Sequence, residues 1–141
     1  MKRAAQEKLR ILIADADLQI ARVVSGSLQA MGIKQVKVVR NGNEAVDHIR
    51  NYPVDILITE WMMTPVDGIE LITYIRKDSE SPNKALPVIM LTGRGEKPDV
   101  EAARDAGITE FLVKPLPRRR FTTGSNCWWI TRAGLFSRPT M

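Results

Sequence analysis

Carboxylate, hydroxyl and ammonium side chains follow four of the short apolar stretches in this sequence. Asp15 and Asp17 come after the first stretch, Glu60 after the third, Thr92 after the fourth and Lys114 after the fifth. Carboxylates can bind Mg²⁺ or attack phosphorus, and a hydroxyl and an ammonium group can hold phosphoryl oxygens. If the fold brings these side chains together, they have the composition of a site that forms an acyl phosphate.

The elements that must position them alternate along the chain. Apolar stretches predict strands at residues 10–14, 35–39, 54–59, 87–92 and 110–113, and amphipathic stretches predict helices at 18–31, 43–50, 69–76 and 98–106. The strands are almost continuously apolar, which is typical of a parallel sheet covered on both faces. Functional groups in such sheets collect beyond the carboxyl ends of the strands, so the polar side chains should meet at one edge.

The bulk composition is that of a globular protein. The chain has 141 residues, of which 44% are hydrophobic and 26% charged, enough for one domain with its own core. No run approaches the roughly 18 apolar residues of a membrane span, and the charged N-terminus does not resemble a signal peptide. The single Cys127 cannot form an internal disulfide. We therefore expect a cytoplasmic protein with no membrane association, and an N-terminal arm over residues 1–8.

The positive charge is concentrated at the C-terminal end. The net charge is +5; all 16 acidic residues lie within residues 1–117, whereas five arginines come after residue 117: Arg118, Arg119, Arg120, Arg132 and Arg138. Such an excess indicates an anionic partner, which could be a nucleotide, nucleic acid, a lipid headgroup or an acidic protein surface. Arginine rather than lysine favours planar, bidentate recognition. The alternative is a solvated, disordered basic tail.

Four motifs carry a resemblance to a known family: ILIADAD (11–17), DILITEWMMTPVDGIEL (55–71), PVIMLTGRGE (87–96) and GITEFLVKPL (107–116). Their order and spacing over residues 9–116 resemble the CheY-like receiver domain of bacterial response regulators. The resemblance implies an α/β, flavodoxin-like, doubly wound fold with a five-stranded parallel sheet. It also implies a non-catalytic signalling protein, with Glu60 at the phosphoacceptor position and with Thr92 and Lys114 as switch residues.

Two positions depart from the family pattern. Glu60 stands where receivers have the phosphorylated aspartate, and Ala16 replaces the second of two adjacent acids. The glutamate carboxylate lies roughly one bond length further out, which misplaces it for in-line attack. We therefore expect Glu60 not to be phosphorylated and Mg²⁺ to bind weakly at best, through Asp15 and Asp17.

The longer carboxylate of Glu60 could reach Lys114 and form an ion pair across the strand ends. Such a pair could mimic the phosphorylated state, or the site could simply have decayed. A buried ion pair is weak support for either alternative. Both therefore stay open on the sequence.

Receivers continue with a fifth helix, but residues 117–141 contain proline, glycine, threonine and asparagine that oppose one. We expect this last helix to be missing or replaced by an arginine- and aromatic-rich segment. Its tryptophans, Trp128 and Trp129, could either fold back over the sheet or stack on a bound base.

Arginines together with aromatic rings favour a guanine nucleotide, whose O6 and N7 accept from an arginine fork and whose face stacks on rings. The segment is similar to that of a CheY-like subgroup of cyclic di-GMP effectors called Cle. This similarity implies cyclic di-GMP as the ligand and a protein partner such as a flagellar motor switch component, with control of motility or attachment. The ligand-binding candidates are Arg118, Arg119, Arg120, Trp128, Trp129, Arg132 and Arg138.

Two alternatives remain on the sequence. One is a single-domain response regulator of a two-component phosphorelay that acts by protein–protein interaction. The other is a constitutive interaction module whose basic tail binds an acidic surface or nucleic acid. A DNA-binding output domain is not expected, because the 24 residues after residue 117 are too few for a helix-turn-helix.

Overall fold

A computed structural model describes residues 8–114 of the chain. Its strands are β1 (Arg10–Ala14), β2 (Gln35–Val39), β3 (Ile56–Thr59), β4 (Val88–Thr92) and β5 (Glu110–Val113). Its helices are α1 (Leu18–Ala30), α2 (Gly42–Asn51), α3 (Gly68–Lys77) and α4 (Lys97–Ala106). Each element expected from the sequence is present, with limits within two residues of the prediction. The arm up to residue 7 and the whole arginine-rich segment lie outside the described residues.

The five strands form one parallel sheet in the order β2-β1-β3-β4-β5. This is the flavodoxin-like order, in which the connections reverse direction between β1 and β3. The register pairs Ala14 with Thr59 and Thr92 with Val113. The next residues along these strands therefore extend beyond the same edge of the sheet, and this edge receives Asp15, Glu60 and Lys114.

Alternate residues of each strand face opposite sides of the sheet, which separates two apolar clusters. One lies on the α1 side and includes Ile13, Leu28 and Ile89. The other lies under α2, α3 and α4 and includes Leu57 and Leu71. Both faces of the central strands are buried, which explains why their sequences are apolar without alternation.

Three helices begin at a residue whose side chain accepts hydrogen bonds from the first turn. Asp17 caps α1, Asn41 caps α2, and Asp67 caps α3 in a capping box with Glu70. Helix α4 begins without such a bond, because the Glu96 side chain makes no capping contact. Side-chain caps thus fix the acidic loops after β1 and β3 to the helices that follow them. The loop after β4 has no such capping bond to α4.

Within residues 8–114, no helix has the length and apolar character that crossing a membrane would require.

Candidate functional site at the carboxyl edge of the sheet

Three charged side chains from three different strands meet at the carboxyl edge. The Lys114 ammonium group donates to Glu60 Oε2 at 2.6 Å and to Asp15 Oδ2 at 3.1 Å. The side chains are mostly buried, with 17% of Lys114, 10% of Glu60 and 6% of Asp15 exposed. The ion pair that the length of Glu60 made possible with Lys114 is therefore present, and Asp15 joins it. We call these three residues the acid–lysine cluster.

The second carboxylate oxygen of Glu60 is held by its own loop. Glu60 Oε1 accepts from the backbone N–H of Trp61 at 2.6 Å and from that of Met62 at 3.4 Å. The extra methylene of glutamate thus lets the carboxylate bridge the loop amides and the Lys114 ammonium group. Both oxygens are therefore hydrogen-bonded, and these bonds fix the orientation of the carboxylate.

Burial and pairing act in opposite directions on the charges of the cluster. Burial raises the pKa of Asp15 above its ordinary value, and the nearby Glu60 adds to this effect, although the Asp17 N–H and Lys114 oppose it. Burial alone would lower the pKa of Lys114, but its bonds to Glu60 and Asp15 outweigh burial and raise it. Lys114 therefore remains a cation at neutral pH and is the counter-ion of two carboxyl groups.

Thr92 lies at the same edge and is completely buried. Its hydroxyl oxygen accepts from the backbone N–H of Arg94 at 3.2 Å, and its carbonyl oxygen accepts from the backbone N–H of Lys114 at 2.8 Å. The threonine thus fixes the start of the loop after β4 and joins it to the end of β5.

Asp17 has a different environment from the other acids. Its carboxylate accepts from the N–H groups of Gln19 and Ile20, at 3.0 and 3.4 Å, as the cap of α1. Its own N–H donates to Asp15 Oδ1 at 2.9 Å. Asp17 therefore orients Asp15 through the backbone, while its side chain is engaged by the helix.

A further contact, which was not predicted from the sequence, joins the loops after β3 and β4. The Arg94 guanidinium carbon lies 4.4 Å from the centroid of the Trp61 ring. The same guanidinium donates to Asp99 Oδ1 at 2.9 Å and to the Met62 sulfur at 3.5 Å. The only signal in the sequence is that both residues follow strand ends, Trp61 directly after Glu60 and Arg94 two residues after Thr92.

The tail residues proposed to bind a nucleotide lie outside the described residues. They are Arg118, Arg119, Arg120, Trp128, Trp129, Arg132 and Arg138. The described part of the site consists of the acid–lysine cluster, Thr92, Asp17 and the Arg94–Trp61 contact.

Comparison with known proteins assigns this arrangement to a family. The family model for the response regulator receiver domain matches residues 11–124. The chain belongs to this family. The receiver is 32% identical over 108 residues to the chemotaxis protein CheY1 of Helicobacter pylori strain 26695, an alignment that covers 76% of this chain and 86% of that protein. A CheY homologue from Campylobacter jejuni strain 81-176 is also 32% identical, with 82% of its length covered.

Solved structures of receivers have the same fold. The chemotaxis response regulator CheY4 of Vibrio cholerae superposes with a TM-score of 0.75 at 25% identity, covering 89% of this chain and 98% of that one. The receiver domain of the Francisella response regulator 1452 gives 0.75 at 26% identity, covering 91% and 95%. CheY-like receivers are generally non-enzymatic signalling domains that interact with protein partners.

Receiver domains typically bind Mg²⁺ at the phosphorylation site. In this receiver, no group of three or more histidine, cysteine, aspartate or glutamate side chains among residues 8–114 could hold a metal ion. Ala16 offers no side-chain ligand, the Asp17 carboxylate caps α1, and Lys114 binds both of the remaining carboxylates. Mg²⁺ at this place would compete with the ammonium group for Asp15 and Glu60, so these residues fit it poorly.

Proposed function

We propose that this receiver is a CheY-type signalling effector that acts through a protein partner and does not depend on phosphorylation of Glu60. One observation carries the proposal: the Lys114 ammonium group is already bound to the carboxylates of Glu60 and Asp15. In the aspartyl-phosphate chemistry of the family, this lysine is expected to hold a phosphoryl oxygen. Here the glutamate provides the anion instead.

A mimic of the phosphorylated state needs an anion at the Lys114 ammonium group, and the Glu60 carboxylate provides one. In this receiver, each oxygen of Glu60 has a donor within 2.6 Å, one from Trp61 N–H and one from Lys114. The cluster therefore joins the ends of β1, β3 and β5 without any added group.

We expect a small phosphodonor such as acetyl phosphate, with Mg²⁺, to leave the intact mass of the native chain unchanged. The double variant Glu60→Asp, Ala16→Asp should gain one phosphoryl group, because it regains an acceptor at the family position and a second acid for the metal. Ala16→Asp alone is the matched control and should remain unmodified. Mass spectrometry measures the intact mass of all three proteins after incubation with the phosphodonor.

A mass gain in the native chain that disappears in Glu60→Gln would contradict this proposal. That result would favour the alternative, a conventional response regulator that passes phosphoryl groups.

We further propose that cyclic di-GMP is the input, bound by the arginine-rich segment at residues 117–141. The support is compositional: five arginines, two adjacent tryptophans and no acidic residue after residue 117. Arginine forks suit guanine edges and phosphate, and indole rings suit stacking on a base. The loaded protein would dock on a partner such as a flagellar motor switch component and change swimming or attachment.

Calorimetry at physiological salt is expected to show micromolar or tighter binding of cyclic di-GMP and none of GTP. Substituting Arg118, Arg119 and Arg120 together by alanine should weaken binding by at least about tenfold, because each removes charge-assisted hydrogen bonds. A triple alanine variant of Arg22, Arg40 and Arg104, which are exposed outside the segment, is the matched control for net charge.

Binding of GTP and cyclic di-GMP with equal affinity and a steep salt dependence would indicate a non-specific anion site. No heat with either nucleotide would remove cyclic di-GMP from the proposal and leave the phosphorylation-independent receiver.

A further inference from the structure

We infer that Arg94 is a positioning residue that couples the acid–lysine cluster to helix α4 through Trp61. The inference rests on the part of the proposed function that makes the cluster the control point, and does not depend on the nucleotide. Three contacts carry it in sequence: Glu60 to Trp61, Trp61 to Arg94, and Arg94 to Asp99.

The first contact fixes Trp61 by the carboxylate of Glu60. The Trp61 N–H donates to Glu60 Oε1 at 2.6 Å, and the Trp61 carbonyl oxygen accepts from Gly68 N–H at 2.8 Å. The side chain of Trp61 packs into the apolar cluster under α2 to α4, and the residue is 8% exposed. A change at the Glu60 carboxylate therefore acts directly on the backbone N–H of Trp61.

The second and third contacts are made by one guanidinium group. Arg94 lies over the Trp61 ring at 4.4 Å, where a cation is attracted by the ring face. Its Nη2 donates to Asp99 in the first turn of α4 at 2.9 Å, and the Asp99 side chain is only 18% exposed. Because Glu96 does not cap α4, the Arg94–Asp99 pair is a side-chain anchor for this turn.

The loop that carries Arg94 also lies close to the cluster through β5. A methyl group placed on Gly95 would lie 2.7 Å from Val113 Cγ2, so the backbone here packs directly on the residue before Lys114. The hydroxyl of Thr92 holds the backbone of Arg94 from the other side. The loop thus has a defined position from which the Arg94 side chain reaches the Trp61 ring.

Hydrogen exchange of the full chain, without ligand or phosphodonor, tests the coupling over residues 94–106. Arg94→Met should speed exchange there roughly tenfold, because it removes the ring contact and the ion pair. Glu60→Gln should speed it roughly threefold, because Lys114 and Trp61 bind different oxygens of Glu60 and the amide nitrogen that replaces one of them cannot accept. Arg104→Met in the same helix and Glu80→Gln on the surface are the matched controls and should exchange as the native chain does.

The double variant decides whether the two effects are linked. If Arg94 transmits the state of Glu60, adding Glu60→Gln to Arg94→Met should not speed exchange in residues 94–106 any further. Arg94→Lys separates the two contacts of Arg94, since it keeps a cation for Asp99 but loses the planar group over Trp61. It should keep most of the protection of α4 and abolish the response to Glu60→Gln.

An unchanged exchange rate in Glu60→Gln would overturn the inference, and so would an equal effect of Glu60→Gln with and without Arg94. Either outcome can occur while the phosphodonor and calorimetric results hold, because no donor, nucleotide or partner is present in the exchange experiment.

Discussion

Replacing Lys114 by methionine is expected to lower the free energy of unfolding by about 3 kcal/mol at pH 7, because it leaves buried carboxylates without their cation. Glu60 and Asp15 both depend on this ammonium group, and both are at least nine-tenths buried. The estimate lies at the lower end for buried pairs, since the cluster is at the edge of the sheet. Urea denaturation measures the difference, with Lys77→Met on the surface as the matched control.

The stability lost in Lys114→Met should depend on pH, because Asp15 is one of the carboxyl groups that lose their cation. Its pKa is raised in the folded chain, so its contribution to stability is full below the unfolded pKa of about 3.9 and declines as the pH rises through the folded value. Lys114 lowers this pKa, so without Lys114 the pKa of Asp15 is raised further. The loss of stability between low pH and pH 7 then becomes larger. The Lys114→Met variant should therefore regain stability relative to the native chain as the pH falls from 7 toward 4.

Adding Glu60→Gln to Lys114→Met should restore part of the lost stability, because one of the unpaired charges is then absent. Unfolding of Lys114→Met at the native urea concentration at pH 7 would contradict the expected dependence of the two buried carboxylates on this ammonium group.

Gly68→Ala is expected to destabilise the receiver by about 3 kcal/mol, which is at the upper end for a steric overlap in a packed site. A methyl group at Gly68 would overlap the carbonyl oxygen of Glu60 and lie 3.0 Å from the Trp61 Cα atom. These are backbone atoms, which cannot rotate away. The start of α3 would have to move off the loop that carries Glu60.

A glycine-to-alanine substitution in α1 should change the free energy of unfolding in the opposite direction. Gly26 is an exposed position within α1, and a methyl group there would meet nothing within 4 Å. Gly26→Ala should therefore raise the free energy of unfolding by about 0.5–1 kcal/mol through the better helix propensity of alanine. Thermal unfolding of the two variants compares them directly, and equal shifts in both would contradict the close approach of α3 to the Glu60 loop.

The position of the cluster could be predicted from the sequence because two simple rules determine it. Apolar runs mark buried parallel strands, and parallel strands end at one edge. The pairing of Ala14 with Thr59 then places Asp15 beside Glu60. Side-chain length made a contact between Glu60 and Lys114 possible, and this contact is present in the structure.

The role of Asp17 could not be decided in the same way, because a carboxylate just after a strand fits a metal site and a helix cap equally well. Both patterns are present in the sequence, and the contacts with Gln19 and Ile20 favour the cap. The Arg94–Trp61 contact could not be predicted from the sequence for a different reason. It joins two loops whose relative position depends on the packing of Val113, Gly95 and α4 rather than on any local pattern.

The division of the interior by the sheet has a consequence for how such a chain can diverge. Trp61 and Met63, which continue the Glu60 loop, belong to the cluster under α2, α3 and α4. The α1-side cluster contains no residue of that loop. Mutations in the α1-side cluster therefore do not act on Trp61 and Met63 directly, whereas Ile20, Ala21 and Val24 of α1 line a cavity together with Asp15 and Glu60. Sequence changes under α2, α3 and α4 should therefore alter the Glu60 loop through Trp61 and Met63, and changes in α1 should reach the charged edge through Asp17 and the lining of this cavity.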